Sequence, residues 1–397
     1  MVTIETFSLV ELAGPALLIF GLGFILSLWM TRRPHWSFLV AGFKAIFFIL
    51  YFSVSFDGTF TFLDDWTYLS RGEQLLEMGV STTNLFAHLP ELFLAANRGK
   101  HFVYYLYNAD TMRVLGAAYY APVTFNILLT FIAAAFMAAA AKKTLNFSTK
   151  LTAAFFVFIA LHPDVLAWST IINGKDTIVL TGTSIIVYSV SLAENKSYLR
   201  AGLLAALFTI VLFFTRFYVP VMLLAALLIA LFLTPRMYRS LFLWFSLPIG
   251  VVGICMVIGT EKLLDIYSRL ESDFINPLYG IPRIILTPIP FNTTVHYSFL
   301  DVPQVFHWTL IIPMIYGVIR LWRNTHFTAR FMVIYFLLMI LLYGMYGELQ
   351  GPRHRYQLDG LIALFQFYGT IGMMKQLLPI SSPHIARSSL VTNGPAR

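Results

Sequence analysis

Three acids, Asp57, Asp64 and Asp65, stand close together in Phe56-Asp57-Gly58-Thr59-Phe60-Thr61-Phe62-Leu63-Asp64-Asp65-Trp66, just after a long apolar run. In a chain of which only 12% is charged, such a grouping is costly at a membrane boundary unless it sits in a wet cavity and has a use. Lone cations occur elsewhere: Lys175 in Asn173-Gly174-Lys175-Asp176, Arg216 in Phe213-Phe214-Thr215-Arg216-Phe217, and Arg353 and Arg355 in Gly351-Pro352-Arg353-His354-Arg355-Tyr356. A carboxylate that takes a hydroxyl proton, beside cations that stabilise charge on a departing phosphate, is the minimum for moving a group from a phosphate to a hydroxyl.

Each cation also has a plainer use. Lys175 can snorkel and pair with Asp176, or present charge and free N–H groups to an anion at a helix start. Arg216 suits a lipid headgroup or a substrate phosphate. Arg353 and Arg355 suit bidentate phosphate binding or a local network with Glu348 and Asp359. His162, His296 and His354 come from separate loops without an i,i+4 pair or a cysteine partner, so no catalytic zinc is expected. A hard divalent cation at Asp64/Asp65 needs only carboxylate oxygens and water, and that option stays open. No Gly-rich phosphate loop or Gly-Xaa-Ser-Xaa-Gly is present, which leaves nucleotide chemistry and a serine hydrolase without support.

The elements that must hold these residues are membrane helices. The 397 residues are 58% hydrophobic, with charge at about half the level of soluble domains. Phe, Tyr and Trp are abundant enough for aromatic belts, and the single Cys255 excludes a disulfide framework. Allowing ~17–20 apolar residues per crossing, spans fall near 12–30, 37–55, 119–141, 151–168, 177–193, 200–215, 217–234, 241–259, 305–319, 331–346 and 358–375. The expected fold is an all-α polytopic membrane protein of about 11 transmembrane helices. Basic residues gather in alternate short connections (Arg32/Arg33, Lys142/Lys143/Lys150, Lys196/Arg200, Arg236/Arg239, Arg320/Arg323/Arg330), and acids other than Glu194 lie in the others. That bias predicts the N-terminus outside, the C-terminus cytoplasmic and the acidic motif on the outer face; it also accounts for the net charge of +8 without nucleic acid.

The expected organisation is one integral membrane domain, 1–380, followed by a disordered cytoplasmic tail, 381–397. Residues 57–118 form a long first outer loop with amphipathic helices, and 260–304 a Pro-rich, irregular outer loop. The fourth span breaks at Leu161-His162-Pro163-Asp164, and irregular backbone at that depth is tolerated where it is protein-buried or lines a cavity. The Arg216–Pro220 stretch reads as a tight reversal.

Leu63-Asp64-Asp65-Trp66-Thr67-Tyr68-Leu69-Ser70-Arg71-Gly72 resembles the first-loop acidic motif of GT-C glycosyltransferases. The stretch from Leu161-His162-Pro163 to Gly174-Lys175-Asp176, and Gly351 to Tyr356, are similar to segments of bacterial membrane proteins of polysaccharide assembly. The resemblance covers the topology over roughly 37–375 and rests on short motifs. The second acid here is Asp65, where Asp-Glu is more usual; an extra span precedes the motif; and there is no soluble outer domain.

The resemblance implies an inverting transferase in the bacterial cytoplasmic membrane. Its donor would be a polyprenyl-phosphate-linked sugar and its acceptor a lipid-linked or glycan hydroxyl, with membrane lipids as the other partners. It assigns the base or acceptor-orienting role to Asp64 or Asp65 and the donor phosphate to Lys175, Arg216, Arg353 or Arg355. Tyr68, His162, Asp164, Asp176 and His354 would line the pocket, without a required cofactor. Tyr68, one turn after Asp64, inclines the choice towards Asp64. An O-antigen or exopolysaccharide polymerase is the enzyme alternative. A flippase of lipid-linked sugars is the other, although no second broken span matches the first as transporter repeats would require.

Overall fold

The computed structural model describes residues 7–58, 64–89, 101–234, 274–293, 295–347 and 351–377, and among these every regular element is helical, with no β-strand. Helix α1 (Leu9–Thr31) starts at a capping box in which Ser8 and Glu11 exchange hydrogen bonds, and packs along α2 (Pro34–Leu50), whose last turn widens over Tyr51–Ser55. After the acidic motif come α3 (Asp64–Glu77) and α4 (Phe102–Leu115), then α5 (Tyr120–Leu145), α6 (Thr149–Ala160) and α7 (Pro163–Ile171). The chain continues as α8 (Asp176–Glu194), α9 (Tyr198–Thr215), α10 (Tyr218–Phe232) and α11 (Pro277–Leu286). It ends with α12 (Asp301–Thr309), α13 (Ile311–Trp322), α14 (Phe327–Met345), the short α15 (Pro352–Tyr356) and α16 (Asp359–Leu377).

Six of these helices are long and apolar enough to cross a membrane: α1, α2 with its extension, α5, α8, α9 and α14. Counting each bent pair as one span gives up to eight, the pairs being α6–α7, bent by 45°, and the helix ending at Thr309 with α13, bent by 54°. The expected eleven are therefore not reached among the described residues, and the second bent pair corrects the expectation that only one span is broken, which removes that ground against a transporter. Span 241–259 lies outside them, and so does the tail 381–397. Helix α10, with 15 residues, reaches only about 22 Å at 1.5 Å per residue, short of a ~30 Å hydrocarbon core. Helix α16 has 19 residues but carries Asp359 and Gln366 on its buried side, and does not meet the same apolar standard.

The bend between α6 and α7 falls at His162-Pro163, where proline removes a helix donor and opens α7 from its first position. Helices α13 and α16 lie backbone to backbone: a β-carbon on Gly317 would overlap the carbonyl oxygen of Phe365, and one on Gly369 that of Pro313. The described residues of the region 260–304 are less irregular than its prolines suggest. Pro277 takes the first turn of α11, where a missing N–H costs nothing, and the Asn276 side chain accepts from the Leu278 N–H at 3.0 Å.

In the first long loop, α3 buries Asp65, Tyr68, Leu69, Gly72 and Leu75, a stripe at helical spacing. It crosses α4 closely, with Gly72 against Asn108, and Leu75, Val80, Phe102, Leu106 and Ala109 form a small core there. Arg32, Arg33, Trp36 and Lys150 share the walls of a cavity of about 480 Å³, so the first two basic connections meet at one end of the bundle.

Candidate functional site

The start of α3, the start of α8, the end of α9 and α15 converge, each contributing one charged residue. Arg353 is the centre. Its Nη1 donates to Asp64 Oδ2 at 2.9 Å and its Nε to Asp176 Oδ2 at 2.6 Å, while Nη2 reaches the Tyr68 hydroxyl at 3.4 Å. Asp176 also accepts from Arg216 Nη2 at 2.9 Å and from Gln357 Nε2 at 2.6 Å, and Gln357 is held in turn by the Tyr343 hydroxyl at 2.7 Å. Asp176 is thus buried with three donors, the condition under which a buried carboxylate is tolerated. Tyr68 donates to Asp64 at 3.4 Å across one turn of α3.

The two acids of the motif have different surroundings. The Asp64 side chain is 56% exposed and faces the cations. Asp65 is buried beside Tyr119, whose hydroxyl donates to it at 2.9 Å. Asn173 links this layer to α4, taking the Tyr119 hydroxyl with its N–H, the Asn108 amide oxygen with its side-chain NH₂ and the Tyr104 hydroxyl with its amide oxygen. Adjacent helix positions point about 100° apart, so one acid faces the opening while the next braces the fold.

Lys175 is buried, but its partner is His101, to which Nζ donates at 2.5 Å; it also lies 5.3 Å over the Tyr68 ring. Burial first, then the Arg216 charge, lowers its pKa well below that of an ordinary lysine. Burial alone would push the Asp64 carboxyl up, but the Arg353 charge and hydrogen bond, with Lys175 and Arg216 beyond, bring it below the usual carboxylate range. His354, against the Tyr343 ring at 5.4 Å, is pushed well down by burial and by Arg216. Arg216 keeps its Nε buried without a partner.

The remaining residues singled out in the sequence sit in a second cluster. Arg355 is buried and donates to Ile285 O at 3.1 Å, Thr287 O at 2.7 Å and Gln304 Oε1 at 2.6 Å, with Asp164 at 3.7 Å. His162 joins that cluster through Gln366 at 3.0 Å. The sequence reading missed His101 and Gln357, which set Lys175 and Asp176. Gln357 carries no signal of its own, whereas Tyr104 and Asn108, a turn apart in α4, mark a buried polar face. Set against protein-family models, curated proteins and solved structures, the chain matches none of them.

Proposed function

We propose that this protein transfers a sugar from a polyprenyl-phosphate carrier to a hydroxyl acceptor at the outer face of a bacterial cytoplasmic membrane. The observation that carries the reading is an exposed carboxylate, Asp64, bonded to a guanidinium that is anchored elsewhere, with the buried Lys175 and the partly buried Arg216 alongside. Asp176 fixes Arg353 through Nε, so a phosphate can take over Nη1 and Nη2 without moving the arginine. The exchange frees Asp64 and removes the charge that depresses its pKa, which turns it into a better base as the donor arrives.

In the reaction, Asp64 takes the acceptor proton and the acceptor oxygen bonds to the anomeric carbon. The bond from that carbon to the phosphate oxygen breaks, and the polyprenyl phosphate leaves with the electron pair beside Arg353, Arg216 and Lys175. One displacement inverts the anomeric centre. The experiment is transfer of labelled sugar from a polyprenyl-phosphate donor by the purified protein in lipid nanodiscs. A single product band supports one transfer, a ladder supports a polymerase, and full activity in a well-folded Asp64→Asn variant overturns the acidic centre.

A further inference from the structure

Three further ionisable groups meet where the bent α6–α7 pair touches α16. His162 lies at the bend before α7, Asp164 in the first turn of α7 and Asp359 at the start of α16. All three are buried, at 1%, 1% and 0% exposure, and one potential ligand atom from each lies within 4.8 Å of the others. Both oxygens of Asp164, both oxygens of Asp359 and Nδ1 of His162 are buried without a hydrogen-bond partner. Orphaned polar atoms in such number are costly, because each forgoes its hydration for nothing. Arg355 is the nearby cation, but its hydrogen bonds go to Gln304, Ile285 and Thr287, and it stands 3.7 Å from Asp164.

The hydrogen bonds behind His162 fix which of its nitrogens is bare. The Ile285 carbonyl can only accept, so His307 donates to it from Nε2, at 3.1 Å. His307 Nδ1 then accepts from Gln366 Nε2 at 3.3 Å, which orients the amide. Gln366 Oε1 therefore accepts from His162 Nε2–H at 3.0 Å, and His162 Nδ1 is left buried with a free lone pair, on a ring of which one nitrogen lies within 4.8 Å of an oxygen of each carboxylate. A histidine that donates its far N–H to a fixed acceptor and presents its other nitrogen to carboxylates is arranged as a metal ligand.

We propose that His162, Asp164 and Asp359 bind a divalent transition-metal cation of the Mn²⁺ or Zn²⁺ type. One nitrogen and two carboxylate ligands fit these ions better than Mg²⁺ or Ca²⁺, which favour all-oxygen shells. With both carboxyls ionised, as metal ligation requires, the two acids and the one arginine would carry a net charge of −1, which a dication reverses. Metal–ligand bonds of ~2.0–2.2 Å require the three groups to close by roughly 1 Å. The ion ties the bend at His162 to the start of α16. The sequence groups His162 with other histidines and so misses the site, because one partner acid, Asp164, is only two residues on while the other, Asp359, comes 197 residues later. The inference is independent of sugar transfer.

The test uses the full-length protein in nanodiscs, stripped with chelator and then dialysed against Mn²⁺ or Zn²⁺ alone. Wild type is expected to retain about one metal per chain by elemental analysis, with the bound Mn²⁺ showing nitrogen coupling in pulsed EPR. His162→Ala and Asp359→Asn are expected to lose retained metal while Asp64→Asn keeps it, and Gln366→Leu to weaken affinity by about 10–100-fold. No retained metal in wild type, bound Mn²⁺ without nitrogen coupling, or wild-type retention in both ligand variants overturns the site. If the ligand variants fail to fold, the wild-type nitrogen coupling and the Gln366→Leu affinity decide the question.

Discussion

Arg353 and Asp64 meet at 2.9 Å across 289 residues of chain, joining the short helix α15 to the head of α3. The contact is exposed on the carboxylate side and anchored on the guanidinium side. It is therefore a bond that can be exchanged for a ligand.

Asp64→Asn is expected to lower sugar transfer by about 10²–10⁴-fold, the span ordinarily supplied by a general base, with little change in melting temperature. Asp65→Asn should do the opposite. It disturbs the buried contact with Tyr119, and is expected to cost stability first and activity only through it. Paired thermal-melt and transfer assays on the two variants separate the roles.

Asp176→Ala leaves the partly buried Arg216 and Arg353 without their shared counter-ion, with Asp64 still beside Arg353, so a loss of up to about 3 kcal/mol is expected. Asp176→Asn should recover part of it, since the amide oxygen still accepts from Gln357. Chemical denaturation in detergent gives both numbers; equal stability of Asp176→Ala and wild type would contradict the ion cluster.

Lys175 has its pKa lowered by burial, so its positive charge is lost at a lower pH than an ordinary lysine's. Affinity for a short-chain polyprenyl phosphate should therefore fall with rising pH earlier than an ordinary lysine would make it fall, and Lys175→Arg should flatten that fall. Asp64 behaves in the reverse sense. Its folded pKa lies below the unfolded value, so the stability from its bond to Arg353 is present above the unfolded pKa and is lost as pH falls through the folded one. Titration calorimetry and acid melts read the two effects separately.

Gly369→Ala forces a methyl group into the Pro313 carbonyl, and only separation of α13 and α16 relieves it; a cost of about 1–3 kcal/mol or more is expected. Gly202→Ala is the control. Nothing lies within 4 Å of its new methyl group, and the helix gains up to about 1 kcal/mol in propensity. Thermal melts of the two variants should move in opposite directions.

Much of this was legible in the sequence because it is local. Proline after His162 dictates the bend, and the spacing of Asp64 and Tyr68 dictates their contact across one helix turn. What was not legible is which charge meets which. Arg216 has no acid near it in sequence, yet pairs with one 40 residues away, and Lys175 passes over its neighbour Asp176 for His101. Arg353 and Arg355 look like one phosphate clamp, but residues two apart on a helix face opposite ways, so they serve different clusters. The long Pro-rich loop hid α11 because a proline in the first turn reads as a breaker unless the cap before it is weighed.

The cluster around Asp176 also has a place in the history of each molecule. Its charges arrive in the order in which the chain is made: Asp64, then Lys175 and Asp176, then Arg216 and, 177 residues after Asp176, Arg353. Asp176 and Arg216 can neutralise one another as soon as α9 is complete, which lets the middle helices settle in the bilayer without an isolated buried charge. Asp64 has to wait in water for its partner, and its exposed position suits that delay. A nascent chain that stops before residue 352 therefore holds most of its helices and still lacks the centre, so this site is completed only late in synthesis.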